Sequence, residues 1–200
     1  MYTTREVKLG ALTLGGNNPV WVQSMTNTST MDTEASMAQI LRIAEAGGEL
    51  VRLTTQGNRE AVNMGSIKEQ LKARGCNVPL VADVHFNASG ADVAARYADK
   101  VRVNPGNYVD PARTFKQLEY TDAEYADELK RLRERFVAFL DICKAEGRAV
   151  RVGVNHGSLS DRIMSRYGDT PQGVVESCME FLRICRDEQF SNVVVSIKTS

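Results

Sequence analysis

Five short runs in this chain each place a charged side chain among valines and leucines. They are Leu50-Val51-Arg52-Leu53-Thr54, Pro79-Leu80-Val81-Ala82-Asp83-Val84-His85-Phe86, Val101-Arg102-Val103-Asn104, Val150-Arg151-Val152-Gly153-Val154-Asn155 and Val193-Val194-Val195-Ser196-Ile197-Lys198. Side chains on a strand alternate between its two faces, so each run carries one apolar and one polar face. If the polar faces converge, Arg52, Arg102, Arg151 and Lys198 gather around a single aspartate, Asp83. Burying unpaired cations is expensive unless an anion arrives to compensate. Arginine matches the oxygens of phosphate or carboxylate with paired hydrogen bonds, each worth roughly 1.5–3 kcal/mol. The expectation is a strongly anionic small ligand, a phosphate or diphosphate above all. The competing reading pairs each arginine with a loop glutamate or places it below the site.

Two turns follow two of these runs: Asn104-Pro105-Gly106-Asn107 and Asn155-His156-Gly157-Ser158. Each could aim backbone N–H groups at an oxyanion. The second also precedes a predicted helical turn, whose N-terminus favours phosphate. His85 lies two residues from Asp83, on the same strand face, as suits a proton donor or hydrogen-bond partner beside a ligand. Gln23, Ser24 and Thr26 are further hydrogen-bonding candidates. No nucleophile–base pair, P-loop or GxGxxG is present. Cys76, Cys143, Cys178 and Cys185 have neither zinc nor iron–sulfur spacing, and His156 is the only other histidine. Buried structural thiols and no metal are expected.

Alternating strands and helices position these residues. A small hairpin is expected around Gly10, then a first strand over Val20-Trp21-Val22-Gln23-Ser24. Asp32 or Thr33 can cap the first helix, Asn58 the second, and Asn87 begins a third. Thr121 with Glu124 forms a capping-box pattern ahead of a long helix, and Pro171 suits the first turn of another. Six strand–helix units imply a parallel sheet. Strands of an open doubly wound sheet read as continuous apolar runs, whereas a barrel tolerates polar inward residues at its C-terminal mouth. The repeated polar face favours the barrel. A complete one needs eight units and roughly 250 residues. The expected fold is therefore α/β, a partial TIM (β/α)8-type barrel of about six units with an N-terminal hairpin. Residues 1–200 would form one incomplete domain of a longer protein.

The totals exclude little but consistently. The 200 residues are 42% apolar, and Lys+Arg and Asp+Glu number 25 each. Zero net charge gives no global attraction to nucleic acid or an anionic membrane. The polar start and the lack of any membrane-length apolar run make a cytoplasmic protein the expectation.

Together the motifs resemble those of a known family. Val22-Gln23-Ser24-Met25-Thr26-Asn27-Thr28, Ala82-Asp83-Val84-His85-Phe86, Arg102-Val103-Asn104-Pro105-Gly106-Asn107 and Gly153-Val154-Asn155-His156-Gly157-Ser158-Leu159 are similar to the N-terminal barrel of the 4-hydroxy-3-methylbut-2-enyl diphosphate synthases, and Val195-Ser196-Ile197-Lys198 to its sixth strand. These are oxidoreductases of the methylerythritol phosphate route to isoprenoids. The resemblance implies binding of 2-C-methyl-D-erythritol 2,4-cyclodiphosphate. It implies reductive opening of that ring to 4-hydroxy-3-methylbut-2-enyl diphosphate with two electrons from ferredoxin or flavodoxin. Arg52, Arg102, Arg151 and Lys198 would then hold the diphosphate or ring oxygens. Asn104 and Asn155 would orient the substrate, with Asp83 and His85 as the catalytic pair. It also implies a homodimer at full length and a [4Fe–4S] cluster held by three cysteines and a glutamate in a C-terminal domain. Those ligands, and strands seven and eight, are expected outside this chain. The stretch from Tyr108 to Glu146 resembles the longer form of the family, which has an extra domain inserted after the barrel. A pterin-binding transferase barrel and a non-enzymatic phosphate-ligand module are the alternatives.

Overall fold

Six strands lie side by side in the order in which the chain makes them. They are β3 (Gln23–Met25), β4 (Leu50–Thr55), β5 (Leu80–Val84), β6 (Lys100–Val103), β7 (Ala149–Asn155) and β8 (Val193–Lys198), and all neighbours are parallel. A computed structural model describes residues 3–85, 88–109 and 119–199 of the chain. Strand order that never reverses is that of a barrel wall, because a doubly wound sheet reverses at a switch point. The wall is a curled, partial barrel. An antiparallel hairpin, β1 (Val7–Leu9) and β2 (Leu12–Leu14), precedes it and turns at Gly10, whose φ of 57° suits glycine.

The two faces of the wall divide as the alternation predicts. Val51, Leu53, Ala82, Val101, Val103, Val150 and Val152 face outward into the main core. There they meet α1 (Thr33–Glu45), α2 (Asn58–Ala73), α3 (Ala88–Tyr97), α4 (Asp122–Glu146) and α6 (Pro171–Asp187). On the inward face Leu50 and Val81 pack with Leu9 of the hairpin, flanked by Leu12, Leu14 and Trp21. The hairpin thus forms an apolar floor. It is fastened at its far side to the approach of β8, where the Lys8 amide donates to Asn192 Oδ1 (2.7 Å) and Asn192 Nδ2 donates to the Lys8 carbonyl (2.9 Å).

Local signals set most boundaries. Asp32 caps α1 by accepting from the Ala35 amide, and Thr121 and Glu124 form the expected capping box of α4. Pro171 opens α6 behind the Thr170 cap. Two expectations shift. Asn58 is the first residue of α2 rather than its cap; Gly57 holds the cap position, and Asn58 Oδ1 accepts from Ser89 on α3 (3.2 Å). The first strand is shorter and later than Val20–Ser24, because Val20 projects into solvent and pairing with β4 begins near Val22. Asn87 and Phe86 lie outside the described residues.

The short helix α5 (Asp161–Tyr167) follows the turn after β7 and is held by buried charge. Arg162 Nη2 donates to Glu180 Oε2 of α6, and the Tyr125 hydroxyl of α4 donates to Glu180 Oε1, each at 2.5 Å. Burial and this carboxylate push the Tyr125 hydroxyl far above its ordinary pKa. A cleft of about 960 Å³ opens between the hairpin, the end of α6 and β8. Its lining includes Val7, Leu14, Phe190 and Val195 and none of the groups around Asp83.

Candidate functional site

Strand register brings the charged residues together in two rows on the inward face. Thr54, Asp83, Arg102 and Arg151 form one continuous row across β4 to β7. Met25, Arg52, Val81, Lys100 and Ala149 form the row beneath it, on the floor side. Asp83 is the centre and is only 2% exposed. Its Oδ1 accepts from Arg102 Nη1 (3.1 Å), and its Oδ2 lies 3.4 Å from Arg52 Nε and 3.8 Å from His85 Nε2.

One carboxylate cannot satisfy these donors. Arg52 turns Nε and Nη2 toward the thioether of Met25, at 3.2 and 3.0 Å, and sulfur is a weak acceptor. Arg151 Nε is buried with no hydrogen-bond partner, as is the hydroxyl of Thr26 at the end of β3. Burial lowers the pKa of Arg102 despite Asp83, and that of Arg151 is lowered by burial and by Arg52 and Arg102. Such a cluster is built to receive negative charge.

Room for Arg102 comes from Gly153. A Cβ at that position would lie 2.6 Å from Arg102 Nε, and Arg102 Nη2 donates to the Gly153 carbonyl at 2.9 Å. Glycine in a strand interior marks this kind of close approach. Gly153, Met25 and Lys100 escape the sequence reading. Lys100 shares the parity of Arg102 and Asn104 and is visible once β6 is begun one residue earlier.

The turns behave differently from expectation. In the turn after β6 the N–H groups point inward to the turn itself: Gly106 N donates to Asn104 Oδ1 (3.4 Å) and Asn107 N to the Asn104 carbonyl (3.0 Å). Asn104 Nδ2 donates to Ser158 Oγ (3.0 Å), which ties this turn to the one after β7. An oxyanion would find these two amides engaged. In the second turn His156 Nε2 lies 2.7 Å from Asp169 Oδ1. Of the four expected cations, Arg52, Arg102 and Arg151 converge, whereas Lys198 stands exposed on β8, in register with half-buried Asn155. His85 is partly exposed at the mouth.

The cysteines do not fit an iron–sulfur cluster. Cys143, Cys178 and Cys185 pack in the helix layer, where burial raises all three thiols, Cys178 to about 11 and Cys185 to about 12. Among the described residues no group of three or more His, Cys, Asp or Glu side chains could hold a metal ion. No helix is long and apolar enough to cross a membrane among the described residues.

The comparisons with known proteins agree with this architecture. The chain is 70% identical over 197 residues to a 4-hydroxy-3-methylbut-2-en-1-yl diphosphate synthase (flavodoxin) of Bacteroides fragilis, covering 98% of this chain and 32% of that protein. It is 50% identical over 197 residues to the protein of the same name from Akkermansia muciniphila, covering 98% and 34%. The chain thus spans about a third of the length of these relatives. Among solved structures, the phospho-2-dehydro-3-deoxyheptonate aldolase of Thermotoga maritima shares the fold, with a TM-score of 0.54 at 13% identity over 98% of this chain and 47% of that one. Residues 4–200 match the GcpE TIM-barrel domain, and the chain belongs to that family.

Proposed function

We propose that this chain is the substrate-holding barrel of a 4-hydroxy-3-methylbut-2-enyl diphosphate synthase. In this reading its mouth binds 2-C-methyl-D-erythritol 2,4-cyclodiphosphate for two-electron reductive opening of the ring. The carrying observation is the buried cluster of Arg52, Arg102 and Arg151 around one carboxylate, with Arg151 Nε left without a partner. Two phosphoryl groups supply the missing acceptors in the geometry that guanidinium recognises. Asp83 holds Arg52 and Arg102 in place for the ligand, and His85, whose Nε2 lies 3.8 Å from Asp83 Oδ2, is placed to hydrogen-bond the ligand at the mouth. Asn104 acts by locking the two turns; Asn155 and Lys198 complete the rim on the β8 side.

Residues 1–200 are read as one incomplete barrel domain. Two further barrel strands beyond β8 and a [4Fe–4S] domain belong to the remainder of a protein about three times as long, which works as a cytoplasmic homodimer. The cluster would relay the two electrons to the substrate, and the relatives' names, which carry the word flavodoxin, support flavodoxin rather than ferredoxin as their source. The family match gives a pterin transferase no support.

Calorimetric titration of the full-length protein with the cyclic diphosphate tests the reading. Arg102→Ala removes charge-assisted bonds of roughly 1.5–3 kcal/mol each, so affinity should fall at least about tenfold. No binding, or binding indifferent to Arg102→Ala, would overturn it.

A further inference from the structure

Lys100 is an inward, buried cation whose ammonium forms no ion pair with a carboxylate among the described residues. It opens β6, in register with Val81 and Ala149, on the face shared with Arg102. Only 4% of it is exposed. A lysine this deeply buried ordinarily pairs with an acid. Here the charges that act on it are Arg151 and Arg52, both of its own sign. Asp83 is engaged by Arg102 and Arg52. Its chain neighbour Asp99 turns away, to Lys68 Nζ (2.8 Å) and the Leu80 amide (2.9 Å). The remaining elements around the interior add no anion among the described residues. β3 offers Gln23 and Met25, the hairpin Leu9, Leu12 and Leu14, and β8 the exposed Lys198. His85, just after β5, is a further titratable group at the mouth.

Burial first, then Arg151 and Arg52, lower the basicity of Lys100 to about 8. A bound anion reverses the electrostatic part of that effect, because it neutralises the two guanidiniums that oppose the ammonium. We propose that Lys100 is a positioning residue beneath the same site, and that an anion held by Arg52, Arg102 and Arg151 is accompanied by uptake of a solvent proton onto Lys100 Nζ. The inference rests on the reading of the mouth as a diphosphate site. Its consequence is a second-row cation whose charge is completed as the site fills.

Calorimetry on the full-length protein decides the matter, with the cyclic diphosphate titrated in Tris and in HEPPS, whose protonation enthalpies differ. Each phosphorus of this ligand carries a single ionisable oxygen. It therefore lacks the second ionisation, near about 6, of a phosphomonoester and brings no titration of its own at pH 8.5. The wild type should take up about three-quarters of a proton at pH 8.5 and about a tenth at pH 7, as follows from a free-state value of about 8. Lys100→Met should abolish the uptake and weaken binding. Lys100→Arg, always charged, should bind with no uptake. Binding with an enthalpy independent of buffer would overturn the proposal and leave the diphosphate reading intact. The same holds for uptake that persists in Lys100→Met. Absence of any binding would remove both. Should the variants fail to fold, the wild-type difference between pH 8.5 and pH 7 remains decisive.

Discussion

Asp83 shows how much one side chain organises here. It accepts from Arg102, stands beside Arg52 and His85, and makes no hydrogen bond to the buried Arg151 Nε. The arginines were legible in the sequence because period-two alternation exposes a charge at an inward position. Gly153 was not, because its role depends on a side chain from the neighbouring strand 51 residues away. Gly153→Ala should push Arg102 off Asp83 and weaken binding of the cyclic diphosphate about tenfold, a loss on the scale of one charged hydrogen bond. Circular dichroism should remain that of the wild type. Lys100 makes a second residue-scale prediction, on stability. Its folded-state basicity, about 8, is below the ordinary 10.5, so the unfolded chain binds more protons between those values. Stability of the ligand-free protein should rise with pH through that window. Lys100→Met should therefore be more stable at pH 7, by about 1–3 kcal/mol, with the advantage fading toward pH 10.5. Denaturant titrations at several pH values read this directly. An advantage that grew with pH would contradict it.

At the scale of elements, the turns after β6 and β7 act as one interlocked piece. A Cβ on Gly106 would fall 1.5 Å from the Ser158 carbonyl oxygen, and backbone cannot yield as a flexible side chain can. Gly106→Ala should cost at least about 3 kcal/mol, read as a lowered melting temperature. The turn was legible from Pro105-Gly106, but its use was not, since the amides that looked available are held by Asn104. Capping signals for α1, α4 and α6 were legible because they are local. The misread cap of α2 turns on a contact between Asn58 and Ser89, 31 residues apart. The same limit hid the anchor of α5. Glu180→Ala would remove the buried carboxylate that Arg162 and Tyr125 share, at a cost of about 3–5 kcal/mol. Replacing both, as Arg162→Met with Glu180→Leu, should recover most of that loss in thermal melts. If the double variant melts no higher than Glu180→Ala, the pair is not the source of the stability.

At the scale of the whole molecule, a wall of six strands has two edges, β3 and β8. Val22, Val195 and Ile197 leave apolar surface on those edges. Exposed apolar edge strands invite pairing with other chains. Val195→Lys with Ile197→Lys should lower self-association of this 200-residue chain in sedimentation velocity, with its secondary structure unchanged. Strand count, order and inward polarity could be read from sequence, since each unit repeats the same pattern. The hairpin's task as the floor could not, because it rests on contacts between Leu9, Leu50 and Val81 across three units. Its fastening to Asn192 spans a separation of 184 residues, almost the length of the chain. During synthesis the hairpin leaves the ribosome well before residue 192, and its fastening waits until that residue has followed. Contacts this distant form late, after the loops between them have closed. On arrested nascent chains, hydrogen exchange at the Lys8 amide should stay fast until Asn192 has emerged and slow abruptly afterwards. The hairpin is made 184 residues before the side chain that secures it.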